Sequence, residues 1–278
     1  MNPFYVLNPA VRGQVPHGLC ALAVMTKAPQ AGQVKTRLVP PLTPGEAADL
    51  NKCFLRDTAA AISSACSRRC VGDAAQRQSR LAHHAWHREV TTTNARGVAV
   101  YTPLGAESAY SDILPRKFNL LLQRGDEFGE RLYFAAEGLF KCGFESVCLI
   151  DSDSPTVAAA NFAQAVELLQ RGGDRIVLGP CDDGGYYLIG LKKPHMGLFE
   201  KIDWSTERVL AQTRQRAREI GLEVELLETG YDVDDRASLR RLCDELLGEN
   251  ARKDLAPRTE QFLRKIIAQA GRSRVWLE

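Results

Sequence analysis

Short apolar runs alternate with amphipathic patterns along most of this chain of 278 residues. The apolar runs are rich in aliphatic and β-branched residues and end at turn residues, which is typical of strands buried on both faces. They predict strands at residues 19–25, 97–102, 147–150, 175–178, 186–191 and 223–227. The amphipathic patterns predict helices at residues 44–67, 127–142, 157–171, 206–220, 235–247 and 257–270.

Local signals mark where some of these helices begin and end. Thr43 is a candidate N-cap, with Pro44 at the first helical position and Glu46 three residues after Thr43. Gly172 and Gly173 form a stop signal after the helix predicted at 157–171. Residues 68–96 are polar and basic with weak periodicity, so the pattern assigns no element there.

Strands that alternate with helices predict an α/β protein with a mostly parallel sheet. The strand at 186–191 follows its predecessor too closely for a helical crossover, so a mixed sheet is expected. We find no internal repeat and no low-complexity linker, which favours one domain at residues 19–247. A loose N-terminal arm at 1–18 and a helical extension at 248–278 are expected to flank it.

The net charge and the cysteines indicate which binding partners and which cellular compartment to expect. The net charge of +2 predicts neither a nucleic acid nor an anionic membrane as partner. No apolar run approaches the roughly 20 residues of a membrane span, and residues 1–18 do not resemble a secretory signal. The eight cysteines form no C-x-x-C motif, and Cys66 and Cys70 form an i,i+4 pair within a helical pattern. We therefore expect reduced thiols, a free Cys20 and Cys148 within buried strands, and a cytoplasmic protein.

Two carboxylates, Asp151 and Asp153, follow the strand at 147–150. On an extended backbone they point the same way, roughly 6–7 Å apart at Cα, which suits one divalent cation that could also clamp phosphate oxygens. The alternative is a capped turn, with Asp153 or Ser154 as N-cap and Pro155 at the first helical position. This segment alone leaves both interpretations open.

A basic loop, residues 27–38, follows the first predicted strand. Gly32 permits a close backbone approach, and Lys35 and Arg37 alternate so that both can reach one anion. Lys27 begins the same loop. The loop is neither a Walker A motif nor G-x-G-x-x-G, and its basic residues could simply be solvated.

Two further acidic segments follow strands. Asp183 precedes Gly184 and Gly185 in a segment rich in glycine, where it could meet a sugar hydroxyl or a metal or simply form a tight turn. Asp232 and Asp234 follow the strand at 223–227 and could complete a cation site with Asp153, although Asp234 or Asp235 could cap the next helix.

Other polar side chains give weaker signals. Arg131 lies near the start of a predicted helix, where it could bind a phosphate or form an ordinary surface ion pair. His83, His84 and His87 contain an i,i+4 pair, but no carboxylate or cysteine spacing supports a metal there.

The motifs together resemble the DUF2064 family, whose members are glycosyltransferase-like and related to the nucleotide-diphospho-sugar transferases. The resemblance covers residues 20–245. Its motifs are A-P-x-x-G-x-V-K-T-R-L at 28–38, the glycine-containing segment 123–131, D-S-P at 153–155, G-P-x-x-D-G-G-Y-Y-L-I-G-L at 179–191, W-S-T at 204–206 and D-V-D at 232–234. The loop with Lys35, Thr36 and Arg37 also looks like that of the guanylyltransferases of the cofactor F420 pathway.

The resemblance implies a GT-A fold, a Rossmann-like three-layer sandwich with a mixed, mostly parallel sheet. It implies that Lys35 and Arg37 bind phosphates, that Asp153 holds the metal, and that Asp183 lines the acceptor side. The wider expected sets are Lys27, Gly32, Lys35, Arg37, Arg131, Gly184 and Gly185 for the nucleotide-activated donor and its acceptor, and Asp151, Asp153, Asp232 and Asp234 for the metal. The family commonly has glycine at the position of Asp151, so the full D-x-D is a departure. Alternatively, the W-S-T block has no role other than to cap the following helix.

These observations predict an enzyme that depends on Mg²⁺ or Mn²⁺ and transfers a glycosyl group from a nucleotide-diphosphate sugar to a small acceptor. Asp183 is the candidate base or acceptor-orienting group, and Lys35 and Arg37 would offset charge on the leaving group. Nucleotidyl transfer with pyrophosphate release is the first alternative, and a nucleotide-sugar-binding protein without catalysis is the second. The sequence leaves open whether the protein is a homodimer.

Overall fold

The computed structural model describes residues 3–67, 69–71, 90–92, 94–249, 251–252 and 254–276. His83, His84 and His87 lie outside the described residues. The strands are β1 (Tyr5–Leu7), β2 (Cys20–Lys27), β3 (Arg69–Val71), β4 (Val90–Thr92), β5 (Ala95–Thr102), β6 (Asn119–Leu122), β7 (Ser146–Ile150), β8 (Arg175–Pro180), β9 (Tyr186–Leu191) and β10 (Glu223–Leu226). The α-helices are α1 (Pro44–Ser67), α2 (Phe128–Cys142), α3 (Ala159–Gln170), α4 (Val209–Glu219), α5 (Arg236–Leu247), α6 (Pro257–Ala270) and α7 (Arg272–Val275).

Eight strands form one sheet in the order β1-β6-β5-β2-β7-β9-β8-β10. Strand β9 runs antiparallel to β7 and β8, and every other neighbouring pair is parallel. The mixed, mostly parallel sheet is therefore confirmed, and the short link at 181–185 explains why β9 reverses direction. Strands β2, β7, β8 and β10 consequently end at the same edge.

Helices cover both faces of this sheet, which gives three layers. Alternate residues of β2 point to opposite faces: Leu22 and Val24 lie in the core that α1 and α3 cover, whereas Ala21 and Ala23 lie in the core beneath α2. Both faces are apolar, so the strands read as continuous hydrophobic runs in the sequence. The predicted three-layer α/β fold is confirmed.

Two local expectations need correction, and two strands of the main sheet were missed. Residues 5–7 form edge strand β1 paired with β6, so the arm predicted to be loose is part of the sheet at that point. Neither β1 nor β6 was predicted from the pattern. Helix α1 ends at Ser67 and Cys70 lies in β3, so the helical interpretation of the Cys66–Cys70 pair was wrong.

The cysteines of the described residues are reduced and partly buried in the sheet. Seven cysteines among the described residues are free, and Cys20 and Cys148 lie buried in neighbouring strands as predicted. Within the described part of the chain, no helix is both long enough and apolar enough to cross a membrane.

A third core joins the C-terminal helices to the basic loop. Leu38 packs in the same buried cluster as Phe54 of α1, Val233, Leu239 of α5 and Leu263 of α6. Outside that cluster, the Arg274 guanidinium donates to the Pro41 carbonyl oxygen at 3.1 Å and pairs with Glu46. The helical extension therefore supports the segment that carries Lys35 and Arg37.

Asp57 of α1 caps helix α6 from another part of the chain. Its Oδ1 accepts the Arg258 N–H at 3.0 Å, and its Oδ2 accepts the Thr259 N–H at 2.8 Å and the Thr259 hydroxyl at 2.7 Å. We expect Asp57→Ala to lower the free energy of unfolding by about 2 kcal/mol, because it leaves two first-turn N–H groups unpaired. Urea denaturation measures this change. Asp49→Ala, which removes an exposed partner of Lys52, is the control and should cost less than about 0.5 kcal/mol.

Candidate functional site

Main-chain hydrogen bonds hold three acidic segments together at the carboxyl edge of the sheet. The Val233 N–H donates to the Asp153 carbonyl oxygen at 2.8 Å, and the Asp182 N–H donates to the Gly230 carbonyl oxygen at 3.2 Å. The Asp151 N–H donates to the Tyr187 carbonyl oxygen at 2.9 Å. The segments predicted separately from the sequence therefore form one site, at the place where α/β sheets bind ligands.

A cavity of about 530 Å³ opens at this edge. One part of its lining is acidic and consists of Asp151, Asp153, Asp183, Asp232 and Asp234, with Arg37 beside them. The other part is apolar and includes Met25, Phe128, Leu132, Tyr186 and Trp204. A cavity of this size that combines apolar walls with a few convergent polar groups is the usual form of a small-molecule site.

Lys35 ties two of the acidic segments together. Its Nζ lies 2.7 Å from Asp153 Oδ1, 3.3 Å from Asp234 Oδ1 and 2.7 Å from the Val233 carbonyl oxygen. The side chain is only 3% exposed, and these three acceptors match the three N–H donors of an ammonium group. Lys35 also adopts a left-handed backbone conformation with φ of 51°, a strain that is uncommon away from functional sites.

Arg37 lies on the open side of the same cluster. Its guanidinium pairs with Asp234 Oδ2, while 70% of its side chain is exposed. An exposed ion pair is weak, so little free energy opposes its exchange for a ligand anion. Of the two basic residues expected to bind phosphate, Arg37 is the one with free access to the cavity.

Asp151 is engaged within its own turn. Its Oδ1 accepts the N–H groups of Asp153 and Ser154, both at 3.3 Å, and its Oδ2 accepts the Ser154 hydroxyl at 2.7 Å. Burial, and secondarily the charge of Asp153, raises the pKa of Asp151 to about 8. These contacts form a turn that Asp151 caps, so the predicted alternative, with Asp153 or Ser154 as N-cap and Pro155 as the first helical residue, was wrong: helix α3 begins only at Ala159, after Ala158 as its N-cap.

Asp183 and Asp232 both line the acidic part of the cavity. Burial, followed by the charge of Asp183, raises the pKa of Asp232 above its ordinary value. Asp183 Oδ1 accepts the Gly185 N–H at 2.8 Å, which fixes its side chain over the glycine turn. Two carboxylates that repel each other in a partly buried site favour a bound cation or a shared proton.

Gly184 is required where the acidic turn meets the W-S-T segment. It has φ of +88°, and a Cβ there would overlap the main chain of Glu207. Its carbonyl oxygen accepts the Leu210 N–H at 2.8 Å, while Ser205 adopts a left-handed φ of 62°. The W-S-T block therefore does more than precede α4, because it forms a wall of the site.

Lys27, Gly32 and Arg131, like Lys35 and Gly184, lie outside the cavity lining. The Lys27 Nζ donates to Gln33 Oε1 at 3.1 Å, and Gly32 has φ of +75° with open space around its Cα. The Arg131 guanidinium donates to the Asp126 carbonyl oxygen at 2.7 Å and to that of Gly125 at 3.3 Å. Their predicted role in donor binding stays a prediction.

The acidic side chains fit a divalent cation in part. Among the described residues, no three His, Cys, Asp or Glu side chains are grouped so that they could hold a metal on their own. Asp151 is engaged in its turn, and Asp234 is paired with both Lys35 and Arg37. Asp234 thus uses both oxygens, whereas Asp153 contacts Lys35 through Oδ1, so Asp153 and Asp232 are the better candidates. One or two carboxylates completed by substrate phosphates are a usual set for Mg²⁺.

The sequence did not reveal the role of the aromatic pair Phe128 and Trp204. Their ring centroids lie 5.0 Å apart with an interplanar angle of 58°. Gly129 allows this contact, because a Cβ there would lie 2.7 Å from the Phe199 carbonyl oxygen and 2.9 Å from Trp204 Nε1. A glycine in the first turn of a helix was the available signal, since glycine is unfavourable in a helix without such a reason.

Gly129→Ala tests this close approach. Alanine normally stabilises a helix by about 1 kcal/mol relative to glycine, but here we expect a loss of stability because the added methyl group displaces Trp204. Thermal unfolding and tryptophan fluorescence measure the two effects. Gly45→Ala is a matched control at the second position of α1, where a Cβ meets no atom within 4 Å, and it should be neutral or stabilising. A stabilising Gly129→Ala would contradict the packing argument.

The comparisons with known proteins agree with this geometry. The profile of the family described as "uncharacterized protein conserved in bacteria (DUF2064)" matches residues 85–206. A structure from Desulfovibrio desulfuricans G20, provisionally described as a nucleotide-diphospho-sugar transferase, is 26% identical, with a TM-score of 0.71 over 91% of this chain and 96% of that chain. The chain thus has the glycosyltransferase-like fold of this transferase class, and its resemblance to the DUF2064 family is confirmed.

More distant structures were also found. A cytidylyltransferase from Leptospira borgpetersenii is 11% identical, with a TM-score of 0.46 over 94% of this chain and 98% of that chain. A mannosyltransferase from Pyrobaculum calidifontis, in complex with GDP-Man and Mn²⁺, is 12% identical, with a TM-score of 0.44 over 98% of this chain and 74% of that chain. Similarities at this level support no conclusion about this chain. No curated protein matches it.

Proposed function

We propose that this protein is a divalent-metal-dependent transferase that moves a glycosyl group from a nucleotide-diphosphate sugar to a small acceptor. One observation carries the proposal: Lys35 and Arg37 meet Asp153, Asp183 and Asp232 in and around one cavity at the carboxyl edge of the sheet. Cations suit the diphosphate of the donor, and carboxylates suit a divalent cation and an acceptor hydroxyl. The similarity to the D. desulfuricans structure supports the same class.

In this reaction the acceptor oxygen forms a bond to the anomeric carbon of the donor sugar. The bond from that carbon to the diphosphate oxygen breaks, and the nucleoside diphosphate leaves with the electron pair. We assign the proton of the acceptor hydroxyl to the Asp183 carboxylate, which the Gly185 N–H holds at the cavity wall. Asp183 also orients the hydroxyl before transfer.

The two basic residues have different roles in this proposal. Arg37 turns from Asp234 to the diphosphate. Its guanidinium is exposed and can donate two N–H groups to one phosphate. Lys35 is a positioning residue, because its three donors already bind Asp153, Asp234 and Val233. This departs from the sequence expectation that Lys35 binds phosphate directly.

Asp153 and Asp232 are the proposed ligands of Mg²⁺ or Mn²⁺. When bound, the cation supplies positive charge that neutralises the diphosphate as it leaves. Lys35 holds Asp153 in place through a 2.7 Å contact. Asp151 shapes the turn beneath Asp153, and Asp234 anchors both basic side chains.

The products of a substrate panel test the reaction type. The protein is incubated with Mn²⁺ and a panel of nucleotide-diphosphate sugars and nucleoside triphosphates, with and without EDTA. We expect a nucleoside diphosphate to be released from a sugar nucleotide, and Asp183→Asn to slow that release by a factor of about 10² to 10⁴. Asp182→Asn, next in the chain but with its carboxylate paired with Arg241, is the control.

Other products would select the alternative functions. Pyrophosphate release from a triphosphate would overturn glycosyl transfer in favour of nucleotidyl transfer. Binding of a nucleotide diphosphate without turnover, unchanged by EDTA and by Asp153→Asn, would instead indicate a binding protein without catalysis.

A further inference from the structure

We infer that the apolar half of the cavity is a subsite for an uncharged acceptor that combines a flat ring with hydroxyl groups. We define the aromatic shelf as Phe128, Leu132, Tyr186 and Trp204. This inference deepens the proposed function and rests on it, because the shelf would hold the acceptor beside Asp183. The evidence consists of the exposed ring of Phe128, the fixed position of the shelf relative to Asp183 and the charges around it.

The shelf presents an aromatic face to the cavity. Phe128, the first residue of α2, is 53% exposed, and its ring lies against the partly buried ring of Trp204. Leu132, one helical turn further, is buried beneath them at the cavity wall. Exposed aromatic rings next to a concave apolar surface are typical of sites that bind a ring face to face.

The position of the shelf is fixed relative to Asp183. Tyr186 follows Asp183 by three residues across the two-glycine turn and begins strand β9. The Leu210 N–H donates to the Gly184 carbonyl oxygen at 2.8 Å, which joins that turn to the segment after Trp204. Gly129 lets α2 approach Trp204 from the other side. A ring on the shelf would therefore place its substituents near the Asp183 carboxylate.

The charges around the shelf exclude an anionic acceptor. Among the described residues that line the cavity, Arg37 is the only Lys, Arg or His, and in the proposed function it binds the diphosphate of the donor. Glu207 and Asp183 line the same cavity as the shelf. A phosphorylated acceptor would be desolvated beside these carboxylates with no cation of its own. Hydroxyl groups, in contrast, donate hydrogen bonds to carboxylates.

Two matched compounds test the inference directly. The probes are phenyl β-D-glucopyranoside and its 6-phosphate, which share the ring and differ by one dianion. Saturation-transfer-difference NMR and calorimetry on the full chain measure their dissociation constants. We expect the uncharged compound to bind at least about tenfold more tightly, with saturation transfer strongest at the phenyl protons. Phe128→Ala should weaken its binding about tenfold, the usual scale of one aromatic contact.

Control measurements separate this inference from the proposed function. Tyr5→Ala removes an exposed aromatic ring from the edge strand and should leave phenyl glucoside binding unchanged. Metal-dependent binding of nucleoside diphosphates should be the same in Phe128→Ala as in the parent protein. If no nucleotide binds while the phenyl glucoside binds through Phe128, the transferase proposal fails and the subsite stands.

Three results would overturn the subsite. They are equal or tighter binding of the 6-phosphate, binding of the phenyl glucoside that Phe128→Ala does not change, and no saturable binding of the uncharged compound. Metal-dependent nucleotide binding alongside any of these would leave the proposed function in place.

Discussion

Replacing Lys35 by methionine is expected to lower the free energy of unfolding by about 2 kcal/mol and to reduce transfer activity by at least about 100-fold. The stability loss arises because Asp153 and Asp234 keep their charges but lose the ammonium group that lies between them. Breaking a fully buried ion pair costs about 3–5 kcal/mol, and these carboxylates, 34% and 32% exposed, recover part of that by hydration. Activity falls because Asp153 and Arg37 lose their fixed positions.

Urea denaturation and the sugar-nucleotide panel measure these two effects. Lys52→Met is the control: Lys52 forms an exposed i,i+3 pair with Asp49, so its loss should change stability by less than about 0.5 kcal/mol. Adding Asp153→Asn to Lys35→Met removes the carboxylate that has lost its cation, whereas Asp234 still pairs with Arg37, and should restore part of the stability without restoring activity. If Lys35→Met is as stable as the parent protein, the ammonium group does not hold the acidic segments together.

From the sequence we could predict which residues lie at the carboxyl edge of the sheet, because their position depends on the direction of the strands. Asp153 follows the apolar strand β7 and Asp232 follows β10, and parallel strands place their carboxyl ends at one edge. The reversal of β9 was predictable in the same way, because five residues cannot make a helical crossover. These inferences need only local pattern and chain connectivity.

Other parts of the site depend on contacts that a single sequence does not encode locally. The partners of Lys35 lie more than a hundred residues away along the chain, and its left-handed backbone has no glycine or asparagine to signal it. Lys35 therefore looked like an exposed phosphate ligand, although its side chain is buried. Strand β1 was missed for another reason: its three residues lie among prolines and glycines and carry no periodicity.

The aromatic shelf shows a third limit. Phe128 and Trp204 are far apart in the chain, and each alone resembles an ordinary helix-start residue. Gly129 is the residue in the sequence that indicates their contact, because the absence of a side chain there makes room for Trp204. Glycines in first helical turns are therefore worth testing as markers of close packing when no structure is at hand.

Asp153→Asn is expected to weaken metal-dependent binding of nucleoside diphosphates by about 100-fold, whereas Asp151→Asn should change it by less than about threefold. The difference follows from the contacts of the two carboxylates. Asp153 faces the cavity beside Lys35, and an amide there is a poor ligand for a hard divalent cation. At position 151, an amide oxygen can accept the same two N–H groups, and its NH₂ can donate to the Ser154 hydroxyl.

Calorimetry with UDP and GDP in the presence of Mn²⁺, repeated in EDTA, measures the metal-dependent part of the binding. Both variants keep the size and shape of the original side chain, so each serves as a control for the other. Circular dichroism verifies that both variants are folded. Equal losses in the two variants would mean that the full D-x-D binds the cation, as the spacing of two residues first suggested, and that Asp151 leaves its turn when metal binds. A loss of binding confined to Asp153→Asn would instead mean that Asp151 only shapes the turn. A position that is commonly glycine in the resembled family would then carry a carboxylate here without adding a metal ligand.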